Sequence, residues 1–182
     1  MKYDFMSLLF ILAMVIYISG SFAKQKKTLL TIAFSANFVL LVYGILMKNT
    51  ATIVDNIMTC IYILCFIDIS IRGKIFSLFD LLGSFRKYLE LTTLILKLSY
   101  ILYLFQGVGD LLIIASVFVQ YFMPKQKELY DQKLFCGLSN LLQSFFYLIL
   151  GRYVEFSMQL AISLTFFWKY IELFKDAKKT KN

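Results

Sequence analysis

The sequence predicts an all-α polytopic membrane protein: seven transmembrane helices, set out as two parallel three-helix repeats joined by a linker helix. Three observations predict it, namely seven apolar runs, basic residues gathered on one side of them, and a weak internal repeat. The chain is 60% apolar over 182 residues. A soluble domain of that size would have to hide more apolar surface than its core can hold. Lipid is the alternative solvent, and there helices satisfy their own backbone groups.

The runs, each near the length of about 17–20 residues that crosses a bilayer, are Phe5–Phe22, Leu29–Met47, Ile53–Ile71, Leu89–Phe105, Val108–Met123, Leu134–Leu150 and Val154–Phe174. Threaded alternately, they place fifteen of the nineteen Lys and Arg residues on or near one face, from Lys24, Lys26 and Lys27 to Lys178, Lys179 and Lys181. Lys2, Lys48 and Arg152 remain on the other face, and Lys97 falls inside the fourth run. Short basic loops stay in the cytoplasm. The expected setting is therefore a bacterial plasma membrane, with the amino terminus outside and the carboxyl terminus inside.

The first run has a rival reading as a signal peptide ending at Ser21-Phe22-Ala23. Its apolar core is long for a signal, and Lys24-Gln25-Lys26-Lys27 follows at once as an anchor, so it is read as a retained helix. Residues 1–74 form the first triple-helix repeat, 75–106 an amphipathic segment and linker helix, and 107–182 the second repeat. Within the linker, Ser77, Asp80, Ser84 and Lys87 recur on one side of Ile75–Glu90, with Phe76, Phe79, Leu82, Phe85 and Leu89 around the other. That pattern predicts a helix lying along the inner leaflet. The repeat is read at an offset of 104, which pairs Ser35 with Ser139, Tyr43 with Tyr147 and Lys48 with Arg152. Two triplets joined by an odd helix run parallel, a plan used by transporters with a midplane substrate site.

Polar side chains inside the spans mark the expected path of a solute. Cys136, Asn140, Gln143 and Tyr147 stand at i, i+4, i+7 and i+11 on one helix face. Gln159 on the seventh run, Gln120 on the fifth, and Asn37, Asp55 and Asn56 on the second and third complete the candidate set. Amides both donate and accept, and a ring can stack on a planar ligand, which suits a neutral or weakly charged heteroaromatic molecule. Interhelical hydrogen bonding is the competing role for each of these groups, and the favoured one for isolated Ser and Thr. Lys97 is expected to snorkel, to pair with an acid such as Asp68 or Asp110, or to meet an anionic group. Asp68 is expected to pair with Arg72 one helical turn on, and Asp110 to cap the fifth helix.

Other classes find little support. The net charge of +8 is accounted for by the inside bias, so no nucleic-acid partner is expected. The chain has no histidine. Cys60, Cys65 and Cys136 lie within spans, which reads as packing and not as a disulfide or metal site. No phosphate loop or partnered nucleophile is present, so neither an enzyme nor a cofactor is expected.

From Gly107 to Lys175 the chain resembles the PnuC family of vitamin transporters, on Gly109-Asp110, Val119-Gln120-Tyr121-Phe122-Met123, Ser139-Asn140, Phe146-Tyr147, Gly151-Arg152-Tyr153 and Trp168. The resemblance implies a SWEET-like three-one-three helix plan and a nicotinamide riboside-like substrate. It implies substrate contacts from Asn140, Tyr147 and Trp168, and functional coupling to a cytoplasmic kinase that traps the product. Where the family usually has two tryptophans entering the sixth span, this chain has Lys133 and Cys136. The YgjV-type inner-membrane proteins share the plan and are the alternative resemblance. The expected function is facilitated diffusion of a vitamin or nucleoside, in a protein that could form homo-oligomers. The alternatives are a substrate-binding subunit of an energy-coupled importer and a structural membrane protein.

Overall fold

A computed structural model describes residues 2–66, 68–71, 74–77, 85–105, 107 and 109–179. Seven α-helices dominate them: α1 (Lys2–Gly20), α2 (Lys26–Met47), α3 (Thr50–Leu64), α4 (Phe85–Tyr103), α5 (Asp110–Phe122), α6 (Leu129–Ile149) and α7 (Tyr153–Lys179). A 3-10 turn, Met123–Lys125, carries Pro124 at its start and closes α5. Between α3 and α4 lies a hairpin of β1 (Asp68–Ile71) and β2 (Lys74–Ser77), with Asp68 opposite Ser77 and Ile71 opposite Lys74.

The hairpin corrects the expected third span, which was to run to Ile71. Ile67, Ile69 and Ile71 alternate with polar partners, a period of two that favours a strand over a helix. Asp68 therefore stands in an extended segment, not one helical turn before Arg72, which lies outside the described residues. The expected amphipathic helix over Ile75–Glu90 is corrected in the same way. Ile75–Ser77 is strand, residues 78–84 lie outside the described residues, and the helix starts at Phe85.

The chain divides into two compact units, Met1–Lys97 and Leu98–Asn182. In the first, α2 packs between α1 and α3; in the second, α6 packs between α5 and α7. The two triplets share one frame. Helix α6 starts 103 residues after α2, and α7 starts 103 residues after α3. Backbone bonds at the helix ends recur at the same interval. Asn49 N donates to Gly44 O at 2.9 Å and Arg152 N to Tyr147 O at 2.9 Å. Lys48 N donates to Ile45 O at 3.1 Å and Gly151 N to Leu148 O at 3.0 Å. Ala23 N donates to Gly20 O at 3.1 Å and Gln126 N to Met123 O at 3.2 Å. Lys48 and Gly151 both turn left-handed, with φ of 53° and 70°.

Burial repeats as well. Ala13 and Met14 match Ser116 and Val117; Ala36 and Asn37 match Ser139 and Asn140; Asn56, Cys60 and Ile63 match Gln159, Ser163 and Phe166. The repeat read from sequence was thus one residue out of register. A slip of one residue turns a helix by about 100°, which is why it set half-buried Ser35 against fully buried Ser139.

Large apolar side chains lie outside the bundles while several polar ones join the apolar core inside. Phe5, Leu8, Leu12 and Val15 form an exposed apolar stripe on α1, whereas Ser116, Gln132, Ser139, Ser144 and Ser163 are fully buried. Among the described residues, α2 alone is long and apolar enough to cross a membrane by length and composition; Ser7–Gly20 and Thr52–Leu64 are shorter apolar stretches. At 1.5 Å per residue, α3 and α5 span about 22 and 20 Å, less than a hydrocarbon core of about 30 Å.

Candidate functional site

The second triplet buries a layer of hydroxyls and amides. Ser116 and Gln120 lie one turn apart on α5, and Ser139, Asn140 and Gln143 occupy the facing side of α6. Gln143 Nε2 donates to Ser116 Oγ at 3.0 Å, and Ser116 Oγ meets Ser139 Oγ at 2.9 Å. Gln120 Nε2 donates to the same Ser139 hydroxyl at 2.9 Å. Two glutamines and two serines thereby fasten α5 to α6. On the other side of α6, Ser163 Oγ donates to Gly137 O at 2.8 Å and binds α7 close to the α6 backbone. Gly137 permits that approach: a Cβ there would stand 2.9 Å from the Phe167 ring.

Within this layer the amide nitrogens of Asn140, Gln120 and Gln143 all bond to protein. Asn140 Nδ2 donates to Cys136 O of its own helix at 2.7 Å. The oxygens differ. Asn140 Oδ1 and Gln143 Oε1 accept no hydrogen bond from the described residues, and Gln159 Oε1 is buried with no partner. An acceptor left without a donor in a dry interior costs about 1–3 kcal/mol. Of the three oxygens, Gln159 Oε1 is the one shut off from solvent, and this cost applies to it.

The expected stripe on α6 is thus real as a face. Cys136 and Asn140 are buried, and Gln143 and Tyr147 are partly so. Tyr147 lies near the end of α6 with the Arg152 guanidinium 5.2 Å from its ring centroid, and Arg152 in turn pairs with Glu155. Trp168 is not brought to this layer. It is 60% exposed, about half a turn around α7 from Gln159 and Phe166, with the Lys169 ammonium 4.7 Å from its ring centroid. Ser116, which accepts from Gln143 and meets the Ser139 hydroxyl that Gln120 also binds, was not singled out from the sequence, because one serine in an apolar helix is a common residue. Its spacing of four from Gln120 was the available signal.

In the first triplet, Asn37 Nδ2 donates to Ala33 O and Asn56 Nδ2 to Thr52 O, both at 2.7 Å. These bonds stay within one helix, like that of Asn140. Asp55 is held elsewhere. The buried Lys97 ammonium of α4 lies 2.8 Å from Asp55 Oδ1 and donates to Thr59 Oγ1 at 2.8 Å. Lys97 was expected to pair with an acid such as Asp68 or Asp110, and it meets Asp55, one turn from Thr59 on α3. Asp110 is not the expected cap: Gly109 holds that position, and Asp110 stands in the first turn of α5 and accepts from Gly107 N at 3.1 Å. The three cysteines are buried, and none is joined in a disulfide to another described residue. A comparison with known proteins finds no matching family model, no matching curated protein and no matching solved structure.

Proposed function

We propose that the chain crosses a bacterial plasma membrane seven times and carries a small water-soluble vitamin or nucleoside, nicotinamide riboside-like, by facilitated diffusion with alternating access. Support for the membrane setting comes from the many exposed apolar side chains and the polar ones buried between helices. Lipid accepts the exposed Phe, Leu, Ile and Val side chains that water would not, and polar groups collect where helices meet. The short helices α3 and α5 then require local thinning of the bilayer, at a cost of a fraction of a kcal/mol per ångström of mismatch.

The observation that carries the substrate class is the imbalance of the amide layer. The nitrogens of Asn140 and Gln143 are spent on the protein, and the oxygens of Asn140, Gln143 and Gln159 are left as acceptors. A ligand that fits brings N–H or O–H donors and no negative charge, as a carboxamide or the hydroxyls of a riboside would. Metal ions fit poorly. Among the described residues no group of three or more Cys, Asp and Glu could hold one.

Thermal unfolding of the detergent-purified protein with a ligand panel tests binding, since a ligand of the folded state raises its melting temperature. Uptake of radiolabelled nicotinamide riboside, thiamine and riboflavin into proteoliposomes tests transport. Equal counts with and without protein for all three would remove the transport reading for those solutes. The bonded Ser116–Ser139 pair also favours a second reading, in which the layer only packs helices. A Gln159→Leu protein with an unchanged ligand response would establish that one.

A further inference from the structure

One end of the second triplet is built for negative charge. The start of α6 and the end of α7 meet there, with the Tyr130 ring 6.3 Å from Tyr170 and 5.7 Å from Phe174, and the 3-10 turn that closes α5 packs on α6. Lys125, Lys127, Lys175, Lys178 and Lys179 are all exposed at this end. Lys133 and Lys169 stand there too, so that seven lysines outnumber Glu128, Asp131, Glu172 and Asp176. The opposite end of the same triplet carries Asp110, Arg152 and Glu155, with Arg152 paired to Glu155. The charge is therefore polarised along the bundle, not spread over it.

The lysines are also positioned. Lys125 Nζ lies 3.5 Å from the Tyr121 ring centroid and Lys178 Nζ 4.8 Å from that of Phe174. Each ring holds an ammonium at the rim of the apolar helix surface. Aromatic residues and long basic side chains take this arrangement at the level of lipid headgroups. Helix α7, at 27 residues, is about 40 Å long and outreaches a hydrocarbon core by about 10 Å. Its last turns thus carry Lys175, Lys178 and Lys179 beyond the acyl chains.

We infer that this end of the second triplet, through Lys125, Lys127, Lys175 and Lys178 beside Tyr121 and Phe174, binds the phosphate headgroups of anionic phospholipids. The inference rests on the membrane reading above. Charge complementarity sets the occupant, because each Lys near an anionic leaflet contributes about 1 kcal/mol of attraction, lost within a Debye length.

The test uses the full chain in detergent, exposed to mixed micelles of phosphatidylglycerol and phosphatidylcholine, with retained lipid quantified after gel filtration. Wild-type protein is expected to retain phosphatidylglycerol preferentially. A Lys125→Gln/Lys178→Gln variant is expected to lose roughly thirtyfold of that preference, and an Arg152→Gln variant at the opposite end to keep it. Both lysines are exposed, so folding is unaffected and an unchanged melting temperature will check that. A wild-type protein that retains both lipids equally, or a double variant as selective as wild type, overturns the headgroup site while leaving the membrane reading intact. Protein that stays dispersed in water after detergent removal overturns both.

Discussion

The two triplets share a backbone frame and differ in what they place inside it. Where the second buries Ser116, Ser139 and Ser163, the first buries Ala13, Ala36 and Cys60 at the corresponding positions. Where the second has Gln120 and Gln143, the first has Tyr17 and Leu40. Only the asparagine pair, Asn37 and Asn140, keeps both its residue type and its bond to the carbonyl four residues back. The frame is therefore set by helix start points, left-handed stops and small buried residues, and it tolerates either apolar or polar filling. Polar chemistry has been concentrated in one copy. The first triplet carries its charge elsewhere, in the Asp55–Lys97 contact to the connector.

Breaking that contact is the largest expected effect. Asp55→Leu leaves a buried ammonium without its carboxylate, and removing one partner of a buried pair costs about 3–5 kcal/mol. Asp55 is itself 52% exposed, which puts the loss near the low end, about 3 kcal/mol. Lys97→Met combined with Asp55→Leu should recover most of it. Thermal unfolding in detergent reads both. A double variant no better than the single one would show that the pair does not act as a unit. Next in size is Gly137→Ala in the second triplet. The new methyl would meet the Phe167 ring at 2.9 Å, and forced overpacking costs about 1–3 kcal/mol. An unchanged melting temperature would mean that the Phe167 ring gives way to the methyl at no cost and that close packing of α6 on α7 does not depend on Gly137.

How much of this was legible follows from what each signal measures. Hydropathy gives apolar runs, and each run contains most of one helix, so seven helices were readable. Helix ends were less so. Helix α3 stops at Leu64 although its run continues to Ile71, because hydropathy cannot separate a buried helix from alternating isoleucines. The stripe Asn140, Gln143, Tyr147 was visible through its spacing. The hydroxyls between Gln143 and Gln120 were not, since spacing within one helix says nothing of what the neighbour presents. Trp168 entered by resemblance alone, and simple rotation around α7 from Gln159 puts it on the exposed side. Lys97 was found as a problem, but its solution lay 38 residues away at Thr59 and needed the fold.

A sharper test of the shared frame uses the two left-handed positions. Lys48 pays steric strain of about 1–2 kcal/mol that glycine avoids. Lys48→Gly should therefore stabilise the protein by about 0.5–1 kcal/mol after the entropy of the more flexible unfolded chain is subtracted. Gly151→Ala should destabilise it by about 1 kcal/mol. No heavy atom lies within 4 Å of a Cβ at Gly151, so that loss is backbone strain alone. Opposite signs at equivalent positions are what a common turn requires. Equal signs would mean that the two turns differ in spite of their matching hydrogen bonds.

The smallest effect on stability carries the most information on function. Ser116→Ala removes a hydroxyl that takes a bond from Gln143 and meets Ser139. Interhelical bonds of this kind are worth about 0.6 kcal/mol each, so melting should fall only slightly. The ligand response is a separate matter. With Ser116 gone, the Gln143 amide loses the partner that fixes its nitrogen inward and its oxygen toward any ligand, and binding weakens as the amide reorients. Ala13→Ser, the equivalent change in the first triplet, adds a hydroxyl where Tyr17 and Leu40 offer no amide, and binding should stay as it was. A fall in ligand-induced stabilisation for Ser116→Ala and none for Ala13→Ser would locate binding chemistry in the second triplet. Equal responses from the two variants would leave the polar layer with a packing role alone.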